Sequence, residues 1–306
     1  MKGTSDCLDG FRCFLRVSRW QIQLVSLATV LIGPLFAADG FSELISMDVF
    51  LFGILFYSVV TFACNINCYY DVDVDSLRKV ELADSVKYLG KKLVVAMFLE
   101  VFVAFFAVIM LVLRGHFLVG VLGLTGLFLA YGYSAPLIRV KSKGAVSPLP
   151  VILGVYVLPP VAGHMIVDAD ISIWFGCFVL GYALLNLGIN LLNVAEDHSV
   201  DKRTGIRTVS HTIGLKRTAL GSLITYTIGA VMVLFVFGIM LVDGWLAMAV
   251  FILCVMTSLF VGLDISTIFL SKVQLEKTIQ KKAKRLPLYF IVTRYPMVLF
   301  LLVIMI

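Results

Sequence analysis

Asn67-Cys68-Tyr69-Tyr70-Asp71-Val72-Asp73-Val74-Asp75 closes one long apolar run, and Asn193-Val194-Ala195-Glu196-Asp197-His198-Ser199-Val200-Asp201 closes another, 126 residues further along the chain. Each contains Asn-x3-Asp-x3-Asp at the mouth of a stretch long enough to cross a bilayer as a helix, which takes about 20 apolar residues. Runs of this kind recur from end to end. We place nine helices, near 21–38, 48–68, 93–113, 117–134, 148–167, 172–193, 217–241, 245–270 and 288–306. The 306-residue chain is 60% hydrophobic and only 14% charged, against roughly a quarter charged in soluble domains. That balance excludes a soluble globule, a nucleic-acid-binding protein, a collagen-like repeat and a disordered chain. The fold class is therefore an all-α integral membrane protein in a single domain spanning 1–306. Connections as short as Arg114–His116 and Val242–Gly244 require neighbouring helices to run antiparallel.

The basic residues orient the bundle. Five alternate segments hold 23 of the 25 Lys and Arg; outside them stand only Arg114, in an opposite loop, and Arg294, inside the ninth run. By the positive-inside bias the N-terminus and both Asn/Asp motifs lie on the cytoplasmic side of the cell membrane and the C-terminus lies outside. The first run is longer than a signal-peptide core and reads as a membrane helix. Six cysteines are scattered without metal or disulfide spacing, so Cys64 and Cys68, one turn apart, read as small packing residues.

Carboxylates are costly near hydrocarbon, so their placement is informative. Positions i, i+4 and i+8 share one helix face. Asn67, Asp71 and Asp75 would therefore project together, as would Asn193, Asp197 and Asp201. The matched registers suggest a duplicated four-helix unit, with helices 1–4 answering 5–8 and a ninth added. Bringing both faces together concentrates four negative charges, which hard cations would balance. Oxygen ligands select Mg2+, and we expect two ions. Mg2+ held through few carboxylates completes its shell with phosphate oxygens, so the expected guest is a diphosphate. Arg16, Arg78, Lys79, Arg139, Lys141, Lys202 and Arg207 lie on the same side and are candidate diphosphate clamps. The positive-inside bias is a sufficient explanation for any single one of them.

These residues resemble the UbiA superfamily of intramembrane prenyltransferases, which has nine transmembrane helices and Asp-rich motifs at the cytoplasmic ends of helices 2 and 6. The similarity extends to Asp201-Lys202-Arg203-Thr204-Gly205-Ile206-Arg207-Thr208, to Tyr133-Ser134-Ala135-Pro136-Leu137-Ile138-Arg139-Val140-Lys141 and to Leu15-Arg16-Val17-Ser18-Arg19. Where many members carry Tyr-x3-Lys after helix 4, this chain has Leu137 four residues beyond Tyr133. The segment is more similar to the chlorophyll-synthase branch, with cations at Arg139 and Lys141. The resemblance implies Mg2+-dependent transfer from a polyprenyl diphosphate, such as geranylgeranyl diphosphate, to an aromatic or lipid acceptor in quinone, chlorin or heme, or ether-lipid biosynthesis, with release of diphosphate. It implies catalytic roles for Asp71, Asp75, Asp197, Asp201, Arg139 and Lys141. Tyr70, Tyr131 and Tyr133 are candidates for lining the prenyl tunnel or shielding a carbocation.

An ion-coupled transporter is the competing class, since paired acidic motifs also bind cations. Transporter sites, however, sit near the midplane on interrupted helices, and these motifs sit at helix ends. An intramembrane protease needs two aspartates inside the membrane and fits less well. Three charges do fall inside the runs. Glu100, Asp264 and Arg294 each lie about 10 Å deep at 1.5 Å per residue. We expect Arg294 to pair with Asp264 or Glu100 below the metal site, as structural glue or in a role with the acceptor.

Overall fold

The computed structural model describes residues 2–77, 79–270 and 274–306, with side chains from residue 9 onward. Arg78 and Lys272 lie outside the described residues. Nine helices among the described residues are long and apolar enough to cross a membrane. They are α1 (Trp20–Ala37), α2 (Met47–Tyr70), α3 (Lys91–Leu113), α4 (Phe117–Ser134), α5 (Gly144–Val167), α6 (Ile173–Glu196), α7 (Leu215–Met240), α8 (Trp245–Leu270) and α9 (Leu286–Ile304). The fold is all-helical, and apart from one isolated bridge between Lys143 and Arg207 the described residues contain no strand.

Two buried cores share the bundle. One is built by α6, α7, α8 and α9 around Phe178, Tyr182, Tyr226, Phe237 and Phe300. The other is built by α2, α3 and α4 around Phe52, Phe56, Val59, Ala104 and Leu111. Helices α1 and α5 contribute to both, through Ile32 and Tyr156 on one side and Val30 and Ala162 on the other. Lipid tails are as apolar as these side chains, so close backbone approach has to supply much of the cohesion. A Cβ on Gly229 of α7 would fall 2.2 Å from the Leu185 amide nitrogen and 2.5 Å from the Gly181 carbonyl oxygen of α6. Between α1 and α5, a Cβ on Gly33 would fall 2.2 Å from the Pro160 carbonyl oxygen. Hydrocarbon, in turn, faces the exposed Phe98, Leu99, Phe102 and Phe106 of α3.

Helix α5 is irregular for a reason visible in its sequence. Pro159 and Pro160 have no N–H to donate to the carbonyls of Val155 and Tyr156. The turn before them widens into a π-helical stretch over Ile152–Val157, a form that recurs at functional sites.

The expectation that each acidic motif occupies one straight helix is corrected. Helix α2 ends at Tyr70 and α6 at Glu196. Asp71 (φ −102°, ψ 6°) and Asp197 (φ −89°, ψ 6°) then bend the chain into short second helices, Val72–Asp75 and His198–Arg203. The i+4 hydrogen bonds survive the bend, from Asp75 N to Asp71 O at 2.7 Å and from Asp201 N to Asp197 O at 2.9 Å. A ψ near zero turns the axis, so the last carboxylate of each motif folds back instead of continuing into water. Asp75 is 7% exposed and Asp201 8% exposed.

Candidate active site

Asn67, Asp71, Asp75, Asn193, Asp197 and Asp201 line one cavity of about 110 Å3, together with Arg19, Lys79, Tyr133, Lys141, Ser147 and Thr208. The ends of α2 and α6, the turn after α4 and the junction before α1 all contribute to its wall. Lys79 follows the first motif yet donates to Asp197 Oδ2 of the second at 3.2 Å. Lys141 pairs with Asp71. Arg139 reaches the same Asp71 oxygen at 3.4 Å, and the Asn67 amide donates to Ser134 Oγ at 3.2 Å and to Asp71 Oδ2 at 3.0 Å while accepting from Arg19 Nη2 at 3.2 Å. Lys79 thus joins the two motifs, while Lys141 and Arg139 tie the first motif to the turn after α4.

Electrostatics follow from crowding four carboxylates in a half-dry space. Burial pushes the Asp75 carboxyl above the ordinary range, with Asp71 and Asp197 adding to the shift against the cations of Lys79 and Arg19. Burial also pushes Asp201 up to about 7, helped by the neighbouring Asp197 and opposed by Lys79 and Lys141. Lys141, 6% exposed, is pulled below the usual lysine range by burial, against the pull of Asp71. Each effect is the desolvation cost of a charge, partly offset by a partner of opposite sign.

The donor set fits Mg2+. It consists of carboxylate and amide oxygens, and Asp75 Oδ2 is buried with no partner. Among the described residues no group of three His, Cys, Asp or Glu is close enough together to hold an ion unaided. Lysine ammoniums stand beside Asp71 and Asp197 instead. A diphosphate oxygen would have to complete the shell of any ion held here, consistent with the few protein ligands Mg2+ normally takes.

The remaining candidates separate clearly. Tyr133 lines the acidic cavity and also a second, largely apolar cavity of about 420 Å3. Tyr70 and Tyr131 line neither, and Tyr131 is 38% exposed on the outer face of α4. Arg16 turns away from the cavity to Ser85 Oγ and Glu81 Oε2, both at 3.2 Å. Lys202 and Arg207 are exposed and line neither cavity. The Arg207 backbone acts locally, its carbonyl accepting from Gly144 N at 2.7 Å and tying the start of α5 to the loop after the second motif. His198 is partly buried, stacked on His211 with ring centroids 4.3 Å apart and bonded to Ser210 Oγ at 2.9 Å.

Sequence reasoning missed Arg19, which lines both cavities. The amphipathic N-terminal helix (Lys2–Val17) stops just before it, and Arg19 takes φ +51° to redirect the chain into α1. Arg139 has φ +38°, and the two are the only non-glycine residues at positive φ among the described residues. Both belong to this site, and such backbone strain persists where surrounding structure enforces it.

The expected pairing of Arg294 is also corrected. Asp264 pairs with Arg285 Nη1 at 2.9 Å and additionally with Lys282 and Tyr289. Glu100 accepts from Asn65 Nδ2 at 2.6 Å, and Asn65 Oδ1 accepts from Ser18 Oγ at 3.1 Å. Arg294 donates to Asn186 Oδ1 at 2.7 Å. Asp264 meets side chains at the start of α9, Glu100 is linked through Asn65 to Ser18 just before α1, and Arg294 sits further into the bundle against Asn186 and Val25, so each charge faces a different neighbour.

Nine membrane helices that deliver two Asn/Asp motifs and several cations to one cavity, with an apolar cavity sharing its wall, define a polytopic membrane prenyltransferase. Residues 26–266 match the UbiA prenyltransferase family, and the chain belongs to that family. Among curated proteins it is similar to the lycopene elongase/hydratase of Haloferax volcanii, 28% identical over 223 residues, covering 70% of this chain and 69% of that protein. Among solved structures it is similar to a UbiA homologue from Archaeoglobus fulgidus bound to GPP and Mg2+, with TM-score 0.66, 18% identity, and coverage of 94% of this chain and 99% of that one. The same homologue bound to DMAPP and Mg2+ matches with TM-score 0.65 at 18% identity, covering 93% and 98%.

Proposed function

We propose that the chain acts as a single domain over residues 1–306, transferring a prenyl group from a polyprenyl diphosphate to an aromatic or lipid acceptor and releasing diphosphate. The observation that carries this reading is the shared cavity of Asp71, Asp75, Asp197 and Asp201, whose wall is continuous with apolar space. Those four residues, with Asn67 and Asn193, would hold two Mg2+ ions. Bound Mg2+ supplies charge stabilisation to the departing diphosphate. Lys79, Lys141, Arg139 and Arg19 would donate to its oxygens. As the allylic C–O bond breaks, the electron pair leaves with the diphosphate, and the resulting carbocation alkylates the acceptor, which then loses a proton.

Tyr133 stands where three spaces meet. Past it lies a narrow groove between α2, α4 and α5, lined by Val59, Gly126, Leu129 and Gly154 and continuing to Gly123, Leu122 and Ala162. We assign this groove, about 50 Å3 beside Tyr133 and about 30 Å3 beyond, to the isoprenoid tail, for which side chains such as Leu55 would have to shift. The 420 Å3 cavity between α1, α6 and α9 would take the acceptor. The name of the Haloferax relative adds a polyene hydrocarbon to the acceptors worth testing. Both motifs would face the cytoplasm in the cell membrane, as the basic-residue bias supports.

Incubating purified protein with Mg2+, geranylgeranyl diphosphate and a panel of quinone precursors, chlorophyllide-like acids, geranylgeranylglyceryl phosphate and lycopene tests the reading by product mass. Asp71→Ala and Asp197→Ala should each lower turnover at least about 100-fold. A fully active Asp197→Ala protein would contradict a shared site, and substrate flux across vesicles without diphosphate release would favour an ion-coupled transporter.

A further inference from the structure

Arg294 sits in the middle of α9, 2% exposed, and no carboxylate pairs with it among the described residues. Its Nη2 donates to Asn186 Oδ1 at 2.7 Å, and its Nη1 makes a long contact of 3.5 Å to the Val25 carbonyl. Its guanidinium lies among three rings, 5.1 Å from the Tyr156 centroid, 5.8 Å from Tyr182 and 4.7 Å from Phe290. Aromatic faces stabilise a cation weakly compared with a counter-ion. Its Nε is buried with no partner. A guanidinium keeps its charge in proteins, and an uncompensated charge in a membrane interior is expensive enough to mark function.

The surroundings say what it could bind. Arg294 lines the 420 Å3 cavity, and so does Ser26 of α1, whose hydroxyl is 1% exposed and also without a partner. The buried, unpartnered Ser26 Oγ and Arg294 Nε thus belong to two residues, on α1 and α9, that line one space. Helix α6 connects that space to the acidic cavity. Asn193 belongs to the second motif, Asn190 lines the larger cavity, and Asn186 holds Arg294. The seven residues from Asn186 to Asn193 place the guanidinium about 10 Å below the metal motif along the helix. A prenyl chain has no group that a cation and a hydroxyl would hold at that depth, so the pair is suited to the acceptor.

We propose that Arg294, with Ser26, binds an anionic oxygen of the acceptor, a carboxylate or phosphate, and so selects acceptors with an acidic headgroup over hydrocarbons. This rests on the prenyl-transfer reading above. Bidentate guanidinium–oxyanion pairing accounts for both the charge and the free Nε.

The test uses full-length protein in detergent with geranylgeranyl diphosphate and Mg2+. The acceptors are a hydroxybenzoate, its methyl ester, geranylgeranylglyceryl phosphate and lycopene, which separate carboxylate, phosphate and neutral arms. Equilibrium binding by thermal shift is measured alongside turnover. The wild type should bind and prenylate at least one anion at least tenfold better than the neutral compounds. Arg294→Gln should raise that acceptor's KM about 10- to 100-fold, with the KM for the diphosphate unchanged. Arg294→Lys should recover part of the loss, and Ser26→Ala should raise the same KM by a smaller factor. Equal binding of the ester or lycopene overturns the proposal, as does an unaltered acceptor KM in Arg294→Gln. If Arg294→Gln does not fold, the wild-type comparison of anion with ester and the Ser26→Ala variant still decide it. Absence of Mg2+-dependent diphosphate release with every acceptor overturns the prenyl-transfer reading instead, and the binding arm continues to test Arg294.

Discussion

Titrating Mg2+ into the protein at pH 6 and at pH 8 should reveal a proton displaced at Asp201. In the metal-free protein its carboxyl is pushed up to about 7 by burial and by Asp197. Only the ionised form ligates Mg2+. With a value near 7, about one tenth of the molecules are ionised at pH 6 and about nine tenths at pH 8. This single group therefore raises apparent affinity about tenfold across the interval, roughly 1.4 kcal/mol, and Asp75, shifted in the same direction, adds to it. Calorimetry in two buffers of different ionisation enthalpy measures the proton released at pH 6. The sign for stability is opposite. A carboxyl held above its ordinary value stabilises the fold fully below about pH 4 and loses that contribution as pH rises through about 7. Metal-free protein should accordingly melt at lower temperature at pH 8 than at pH 5, and Mg2+ should remove the difference. Affinity that is flat from pH 6 to 8, with no proton released, would refute the reasoning. So would an Asp201→Asn variant with an unchanged affinity profile.

Three further outcomes are expected. Lys141→Met removes the ammonium from Asp71; turnover should fall about 100-fold as a diphosphate donor is lost, while Mg2+ affinity in the absence of substrate should rise, both read from one kinetic and calorimetric set. Gly126→Leu would fill the groove beside Val59, 3.5 Å from the position of a Cβ there; geranylgeranyl diphosphate should lose kcat/KM at least about tenfold relative to dimethylallyl diphosphate, and equal losses for both would remove the groove from the tail's path. Gly229→Ala drives a methyl into the α6 backbone and should cost about 1–3 kcal/mol, seen as a lower melting temperature in detergent, whereas Gly40→Ala, with nothing within 4 Å, should change little.

The fold class and the two motifs are legible in the sequence because both are written in local patterns. Apolar length and loop charge specify membrane crossings without reference to tertiary contacts, and the Asn-x3-Asp-x3-Asp spacing is legible in the sequence even though each motif bends at its middle Asp. Side-chain azimuth at a chain junction is not local. Arg16 and Arg19 are three residues apart in one basic stretch, and only the left-handed backbone at Arg19 turns one toward the cavity while the other faces Glu81. Counting residues from the helix ends puts Asp264 and Arg294 at one level, but the packed helices give Asp264 to Arg285 and Tyr289 at the start of α9 and Arg294 to Asn186 further in. Tyr70 and Tyr133 look equivalent as aromatics beside a motif. The bend at Asp71 and the return of the chain after α4 leave Tyr133 at the meeting point of the cavities. The wide turn of α5 carries a sequence signal in Pro159 and Pro160, although its consequence for the cavity wall requires Val151, Val155 and Tyr156 to be seen in place.

The lysines at the acidic cavity resolve an apparent conflict between stability and function. Four carboxylates in a shared, partly buried space repel one another, and a substrate-free enzyme still has to remain folded. Lys141 on Asp71 and Lys79 on Asp197 supply the missing positive charge from segments outside the acidic triplets, the turn after α4 and the loop after the first motif. With Mg2+ and diphosphate bound, the carboxylates would hold the ions and the Lys79 and Lys141 ammoniums would be free to donate to diphosphate oxygens. The total charge in the cavity would then change little between empty and loaded states while each lysine exchanged its partner. A cation set that only neutralised carboxylates would be dispensable once Mg2+ bound. One that exchanges partners is needed in both states, so Lys79→Met should lower both the melting temperature without Mg2+ and the turnover at saturating Mg2+. If excess metal rescued turnover fully, Lys79 would be a counter-ion of the empty site alone.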